Sequence, residues 1–312
     1  MPIPIIETKE LSKIYGDVRA VDRLNLTVDE GEIFGLLGPN GAGKTTTIIL
    51  LLGLSVPTAG TATVVGHDIV RESKEVRRSV GLLPEAAGYY EDITAQKNLE
   101  YIGQLNDLSK NECEKRALEL LSEVGLSEWK NAKVETFSRG MKQRLGIAQA
   151  LIKRPKLVIF DEPTIGLDPA GTKEIRDMIL KLNREQGLTV LMASHLLNEI
   201  QLTCTKVGIL NRGRLVVEDT IENLSKIVSD SEGMSLEFKL DNATPELLKE
   251  LEAIDGVTQV SQQNDRLFVN MSRDIASEVS KTIMKHGAVI LLMKPREYSL
   301  EEIFMKYYKE AR

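Results

Sequence analysis

The run Gly38-Pro39-Asn40-Gly41-Ala42-Gly43-Lys44-Thr45-Thr46 constrains this chain more than any other feature, because it has the spacing of a phosphate-cradling loop. Its glycines let the backbone curl so that successive N–H groups point into one concavity. The preceding Glu32-Ile33-Phe34-Gly35-Leu36-Leu37 reads as a buried strand, and Thr46 to Leu52 reads as the start of an apolar helix. Strand, loop and helix in this order demand an α/β layer whose helix presents its positive N-terminal end to the loop. The competing reading, a glycine-rich turn between two core elements, does not explain the length of the motif or the agreement of both flanks.

The loop implies a nucleoside triphosphate. Lys44 would reach the outer phosphates, the Thr45 hydroxyl is a hard-oxygen ligand suited to magnesium, and Thr46 would donate to a phosphate nearer the base. A second element, Leu157-Val158-Ile159-Phe160-Asp161-Glu162, is an apolar run ending in two acids, which is how a buried parallel strand delivers carboxylates to its carboxyl edge. Asp161 would hold the metal and Glu162 would polarise an attacking water. Taken alone, two such acids suit a solvated turn equally well; the phosphate loop upstream favours the site.

Between these elements lies Phe137-Ser138-Arg139-Gly140-Met141-Lys142-Gln143-Arg144, followed by a helical run to Ile152. This segment resembles the signature of the ABC ATPase family, L-S-G-G-Q followed by Gln-Arg. The family's remaining motifs follow in order: Asp161 and Glu162, Ile165-Gly166-Leu167-Asp168 like the D-loop, and Ala193-Ser194-His195 like the switch histidine. The resemblance covers about residues 3 to 220 and implies ATP and Mg2+ as ligands. It also implies that Tyr15 stacks on adenine and that His195 serves the terminal phosphate. Gly38, Pro39, Asn40, Gly41, Ala42 and Gly43 would supply the cradle.

Ser138 is a good N-cap for the helix after it, so a second helix N-terminus is available to an anion; a purely structural cap is the alternative. The resemblance resolves the surplus site, for in the family two ATPase domains pack head to tail and each signature closes over its partner's nucleotide. Ser138, Gly140 and Asp168 would then serve the partner, with Asp168 also capping the helix after Pro169. Arg139 and Met141 depart from the family's Gly and Gln, so no role carries over to them. Where the family usually has glutamine, this chain has Glu85 after Leu82-Leu83-Pro84. Glu85 is read either as a metal ligand beside the phosphates or as a loop acid with no role.

The 312 residues, 42% of them hydrophobic, allow one large domain and a smaller one. No apolar run reaches the roughly 18 residues that a membrane span needs, and the amino end lacks a signal-peptide pattern. Cys113 and Cys204 are too few for a disulfide framework, and a net charge of −6 argues against nucleic acid as a partner. Ile3 to Ala20 and Val21 to Val28 read as strands of an antiparallel sheet, and Ile93 to Val124 reads as helical with a break at Asp107-Leu108-Ser109. In the family such a helical subdomain receives the transmembrane partner. Ala86 to Asp92 would line that groove, with Tyr89 and Tyr90 as candidates for the contact and Trp129 as a packing residue.

The expected organisation is an ATPase domain over 1–222, a linker over 223–232 and an accessory domain over 233–312, with a short helix from Ile221 to Ile227 at the start of the linker. Beyond the polar stretch from Val228 to Gly233, the pattern strand, helix, strand, strand, helix, strand suggests a ferredoxin-like α+β unit closed by a helix from Leu300 to Lys309. This tail resembles the accessory domain of certain exporter ATPases. The whole reading is the ATP-hydrolysing subunit of an exporter, paired with a second copy or a homologous ATPase. It would act with separately encoded permease subunits on the cytoplasmic face of the membrane. A soluble ABC ATPase of another role is the rival, but the fused second half, heptad insert or basic extension usual there is absent.

Overall fold

Alternating burial along the first strands builds an antiparallel sheet: β1 (Pro4–Tyr15) pairs with β2 (Val18–Leu24) and with β3 (Thr27–Asp29). The two-residue turn Gly16-Asp17 joins β1 to β2, with Gly16 at φ 56°. The expected strand from Ile3 to Ala20 is therefore a hairpin, because glycine accepts the left-handed turn that reverses the chain. The computed structural model describes residues 4–310 except 233 and 297. Ile3 and Gly233, and residues 1–2 and 311–312 of the expected domains, lie outside the described residues.

Next come β4 (Ile33–Leu37), α1 (Lys44–Leu51), β5 (Ala59–Val64), which pairs antiparallel with β1, and β6 (His67–Asp68). The chain continues through α2 (Ser73–Ser79), β7 (Val80–Leu83), α3 (Ala95–Leu105) and α4 (Lys110–Glu123). The break between α3 and α4 falls where Asp107 takes φ 65° and Ser109 with Glu112 forms a reciprocal capping box. Trp129, expected to pack, sits in a short 3-10 turn and is 47% exposed. Then follow α5 (Arg139–Leu151), β8 (Leu157–Asp161), α6 (Pro169–Gln186), β9 (Thr189–Ser194), α7 (Leu197–Thr203), β10 (Lys206–Asn211) and β11 (Arg214–Thr220).

The second sheet has the order β11-β10-β4-β9-β8-β7, with every neighbour from β10 to β7 parallel and β11 antiparallel at the end. Strands β4, β8 and β9 are buried throughout, as strands covered on both faces must be. Their register sets Leu37 beside Ser194 and Asp161 beside Ala193, so three separate motifs leave the sheet along one carboxyl edge. An apolar cluster runs from Ile6, Leu11 and Leu24 through Leu50 of α1 to Leu36 and Ile159, filling the space between the two sheets.

A second compact unit spans Ile221–Lys306. It contains α8 (Ile221–Glu232), β12 (Met234–Leu240), α9 (Pro245–Glu252), β13 (Val257–Gln263), β14 (Arg266–Met271), α10 (Ala276–Lys285) and β15 (Ile290–Pro295), and α11 (Leu300–Glu310) starts within it. The all-antiparallel order β13-β14-β12-β15 is the ferredoxin-like topology. Its core is formed by Phe238, Leu247, Leu267, Val269 and Ile283 among others. The short helix expected over Ile221 to Ile227 runs on to Glu232 through the rest of the expected linker. Nothing in it breaks a helix before Gly233, and Leu224 and Val228 bury one face, so a polar composition described an amphipathic helix rather than a loop.

Candidate functional site

The loop after β4 wraps tightly because two of its glycines leave no room for side chains. Gly43 takes φ 107°, where a side chain would run into the Ala20 carbonyl oxygen, and a methyl group on Gly38 would lie 2.6 Å from the Leu210 carbonyl oxygen. Lys44 opens α1 and is almost completely buried; its ammonium donates to the Gly38 carbonyl oxygen at 2.7 Å and lies 3.7 Å from Glu162 Oε1. The Thr45 hydroxyl donates to Asp161 Oδ2 at 3.1 Å, which joins the loop to the acid at the end of β8.

Burial raises the pKa of Asp161, the nearby Glu162 and Glu85 charges raise it further, and the Thr45 hydrogen bond and Lys44 oppose the rise. A hydroxyl and carboxylates in a buried, insufficiently neutralised pocket are the hard donors that fit magnesium. Among the described residues no group of three or more His, Cys, Asp or Glu forms a metal site. A cation here would complete its shell with water and phosphate oxygens, as magnesium does.

Glu162 follows in a left-handed conformation, φ 52°, uncommon for a side chain of this kind and often found at functional sites. It is 5% exposed, and its carboxylate accepts hydrogen bonds from the Ser194 hydroxyl at 2.8 Å and the His195 backbone N–H at 3.0 Å. His195 Nδ1 stands 2.8 Å from Glu162 Oε1. The imidazole thus approaches the second acid through one nitrogen and keeps Nε2 for another partner.

A cavity of about 630 Å³ gathers Asn40, Lys44, Thr45, Glu85, Asp161 and Glu162 with the other loop residues from Pro39 to Thr46. Gly38, the first residue of the run, instead meets the Lys44 ammonium from beneath through its carbonyl oxygen. Tyr15 does not join the lining: its ring is half-exposed, with the Lys13 ammonium 5.0 Å from its centre. His195, Ser138, Gly140 and Asp168 also stay outside the lining. Ser138 accepts from the Met141 N–H at 3.3 Å and Asp168 from the Gly171 N–H at 2.9 Å, so both cap helices.

The cores of solved ATP-binding cassettes share this fold. A dimeric cassette in a post-hydrolysis state, bound to ADP and Pi, aligns over 69% of this chain and 98% of its own with a TM-score of 0.63 and 29% identity. The ABC transporter family matches residues 21–165. The bacitracin transport ATP-binding protein BcrA of Bacillus licheniformis is 37% identical over 97% of this chain and 96% of its own length. The chain is an ABC transporter ATP-binding subunit. The linearmycin resistance ATP-binding protein LnrL of Bacillus subtilis is 32% identical over 96% of this chain and 97% of its own.

In this ABC subunit, sequence reasoning missed Val18, Arg19, Ala20 and Arg212, which also line the cavity. None stands in a motif. They arrive because the β1–β2 hairpin and the turn after β10 close on the phosphate loop, with the Gly213 N–H bonded to the Ala42 carbonyl at 2.9 Å. Ser194 was named only as part of a motif, although its hydroxyl is buried and fixes the second acid. The one signal was its place beside His195.

Glu85 lines the cavity and raises the Asp161 pKa, which gives its charge a measurable consequence. Asp161 must be ionised to hold a cation, so magnesium-dependent turnover should fall as pH drops through its pKa. Glu85→Gln removes one cause of the raised value and should move that acid limb to lower pH. A limb that stays in place would show Glu85 to be inert.

Proposed function

We propose that this ABC transporter subunit hydrolyses ATP to ADP and phosphate to power an exporter, in a head-to-tail pair with a second copy or a homologous ATPase. The observation that carries this reading is the buried Glu162 carboxylate, oriented by Ser194 and His195 beside the Lys44 ammonium. Proteins named for bacitracin transport and linearmycin resistance among the relatives support export. Among the described residues no helix is long and apolar enough to cross a membrane. Membrane passage would fall to separate permease subunits that hold this chain at the cytoplasmic face.

Lys44 and the loop amides would hold the outer phosphates, and Thr45 and Asp161, with Glu85 nearby, would hold the metal. Magnesium, when bound, neutralises charge on the phosphate oxygens and helps to align them. Glu162 orients the attacking water and accepts its proton. His195 Nε2 stabilises charge on the terminal phosphate.

The second anion site at Ser138 belongs to the partner's nucleotide. The Ser138 oxygen accepts from Met141, and its hydroxyl proton is free to donate outward. Two composite sites coupled through closure require cooperative hydrolysis. The Hill coefficient for ATP should exceed one. A coefficient of one at every protein concentration would overturn the paired arrangement.

A further inference from the structure

Arg139 stands in the signature segment where the family's usual form has glycine, and its guanidinium lies against the turn that follows Glu162. A side chain built on Gly166 would run into the guanidinium carbon, with Nη2 2.8 Å from the added methyl. Gly166 itself takes φ 70°. Beside this contact, a methyl on Gly140 would meet Leu167 Cδ2 at 4.0 Å. The start of the signature segment therefore lies beside the turn, with the Arg139 guanidinium in contact at Gly166.

The same turn begins at Glu162 and ends at the helix cap Asp168. Its internal bonds are few: the Ile165 N–H donates to the Glu162 carbonyl at 3.2 Å and the Leu167 N–H to the Thr164 carbonyl at 3.3 Å. The Thr164 hydroxyl is buried without a hydrogen-bond partner, so side chains inside the turn add little to hold it. Arg139 is exposed, and among the described residues no ion pair or hydrogen bond engages its guanidinium. Neighbouring cations on the same helix are paired, Lys142 with Glu91 and Arg144 with Glu174. A planar guanidinium packed against a glycine that has no side chain to hold it off is a contact that lysine's compact ammonium does not reproduce.

We infer that Arg139 is a positioning residue that holds the turn between Glu162 and Asp168, linking the signature segment of a chain to that chain's own general base. The inference rests on the proposed pairing for its effect on turnover, because there the signature segment meets the partner's nucleotide. Movement of the signature segment on that nucleotide is passed through Arg139 and Gly166 to Glu162. The contact itself lies within one chain and does not depend on pairing.

The test has two arms on the full chain. In the first, Arg139→Gly, Gly166→Ala and the double variant are compared by denaturant unfolding without nucleotide. Gly166→Ala destabilises in the Arg139 background, and part of that loss disappears when Arg139 is replaced. Additive effects of the two changes would show that the contact carries no coupling and overturn the inference, whatever the pairing. In the second arm, Arg139→Gly lowers turnover about 3- to 30-fold and brings the Hill coefficient toward one, with ATP affinity of the single chain unchanged. Arg139→Lys keeps the charge without the plane and follows Arg139→Gly. Rescue of turnover by lysine would assign the residue to a charge contact and overturn the positioning role. If wild type hydrolyses ATP without cooperativity, the pairing fails, and the unfolding arm alone decides the contact. If wild type is cooperative and Arg139→Gly matches it in rate and Hill coefficient, the inference fails alone.

Discussion

Glu162→Gln is expected to lower ATP turnover about 10²–10⁴-fold, the usual contribution of a positioned general base, while ATP remains bound. The amide keeps the size of the carboxylate and one acceptor oxygen for the Ser194 hydroxyl or the His195 N–H, so the fold should change little. It cannot take a proton from water. Loss of the charge also frees Lys44, which lies 3.7 Å from Glu162 Oε1, for the phosphates, so affinity should hold or rise. Rapid filtration with labelled ATP would show unhydrolysed nucleotide retained on the variant. Turnover near wild type would remove Glu162 from the chemistry.

A larger contrast is expected from two inactivating changes that should rescue one another. Lys44→Ala removes the ammonium from the phosphate cradle and should abolish both binding and hydrolysis in its own site. Ser138→Arg should leave nucleotide binding by the single chain nearly intact, because Ser138 lies outside the cavity that holds Lys44, yet abolish hydrolysis by blocking the partner's nucleotide. In a mixed pair of the proposed arrangement, the intact cradle of one chain would meet the intact signature of the other. Mixing the two dead proteins should therefore restore roughly a quarter of wild-type turnover, since half of the pairs are mixed and each has one whole site. No recovery from a mixture whose chains do exchange would contradict either the head-to-tail arrangement or turnover by one whole site alone. Equal loss of nucleotide affinity in both variants would place Ser138 in its own chain's site.

Much of the candidate site was legible in the residues because its parts are local. A glycine-rich run between an apolar strand and an apolar helix has few conformations open to it, and an apolar run ending in Asp161 and Glu162 must leave its acids at a strand end. The ferredoxin-like tail was legible through its alternation of strand and helix. Composition misled where it could not distinguish a polar loop from the exposed face of α8, and where Gly16 allowed a reversal within an apparently continuous strand.

By itself, then, the sequence determined the order of the elements, the phosphate loop and the strand-end acids, because backbone freedom and side-chain periodicity act over a few residues. Only the tertiary structure decided what those parts meet. Parallel register brought Ser194 and His195 onto Glu162, the β1–β2 hairpin brought Arg19 and Ala20 to the loop, and α5 laid Arg139 on Gly166. Each of these contacts joins segments far apart in the chain, and close packing of the sheets and helices between them sets the distance at which the side chains meet.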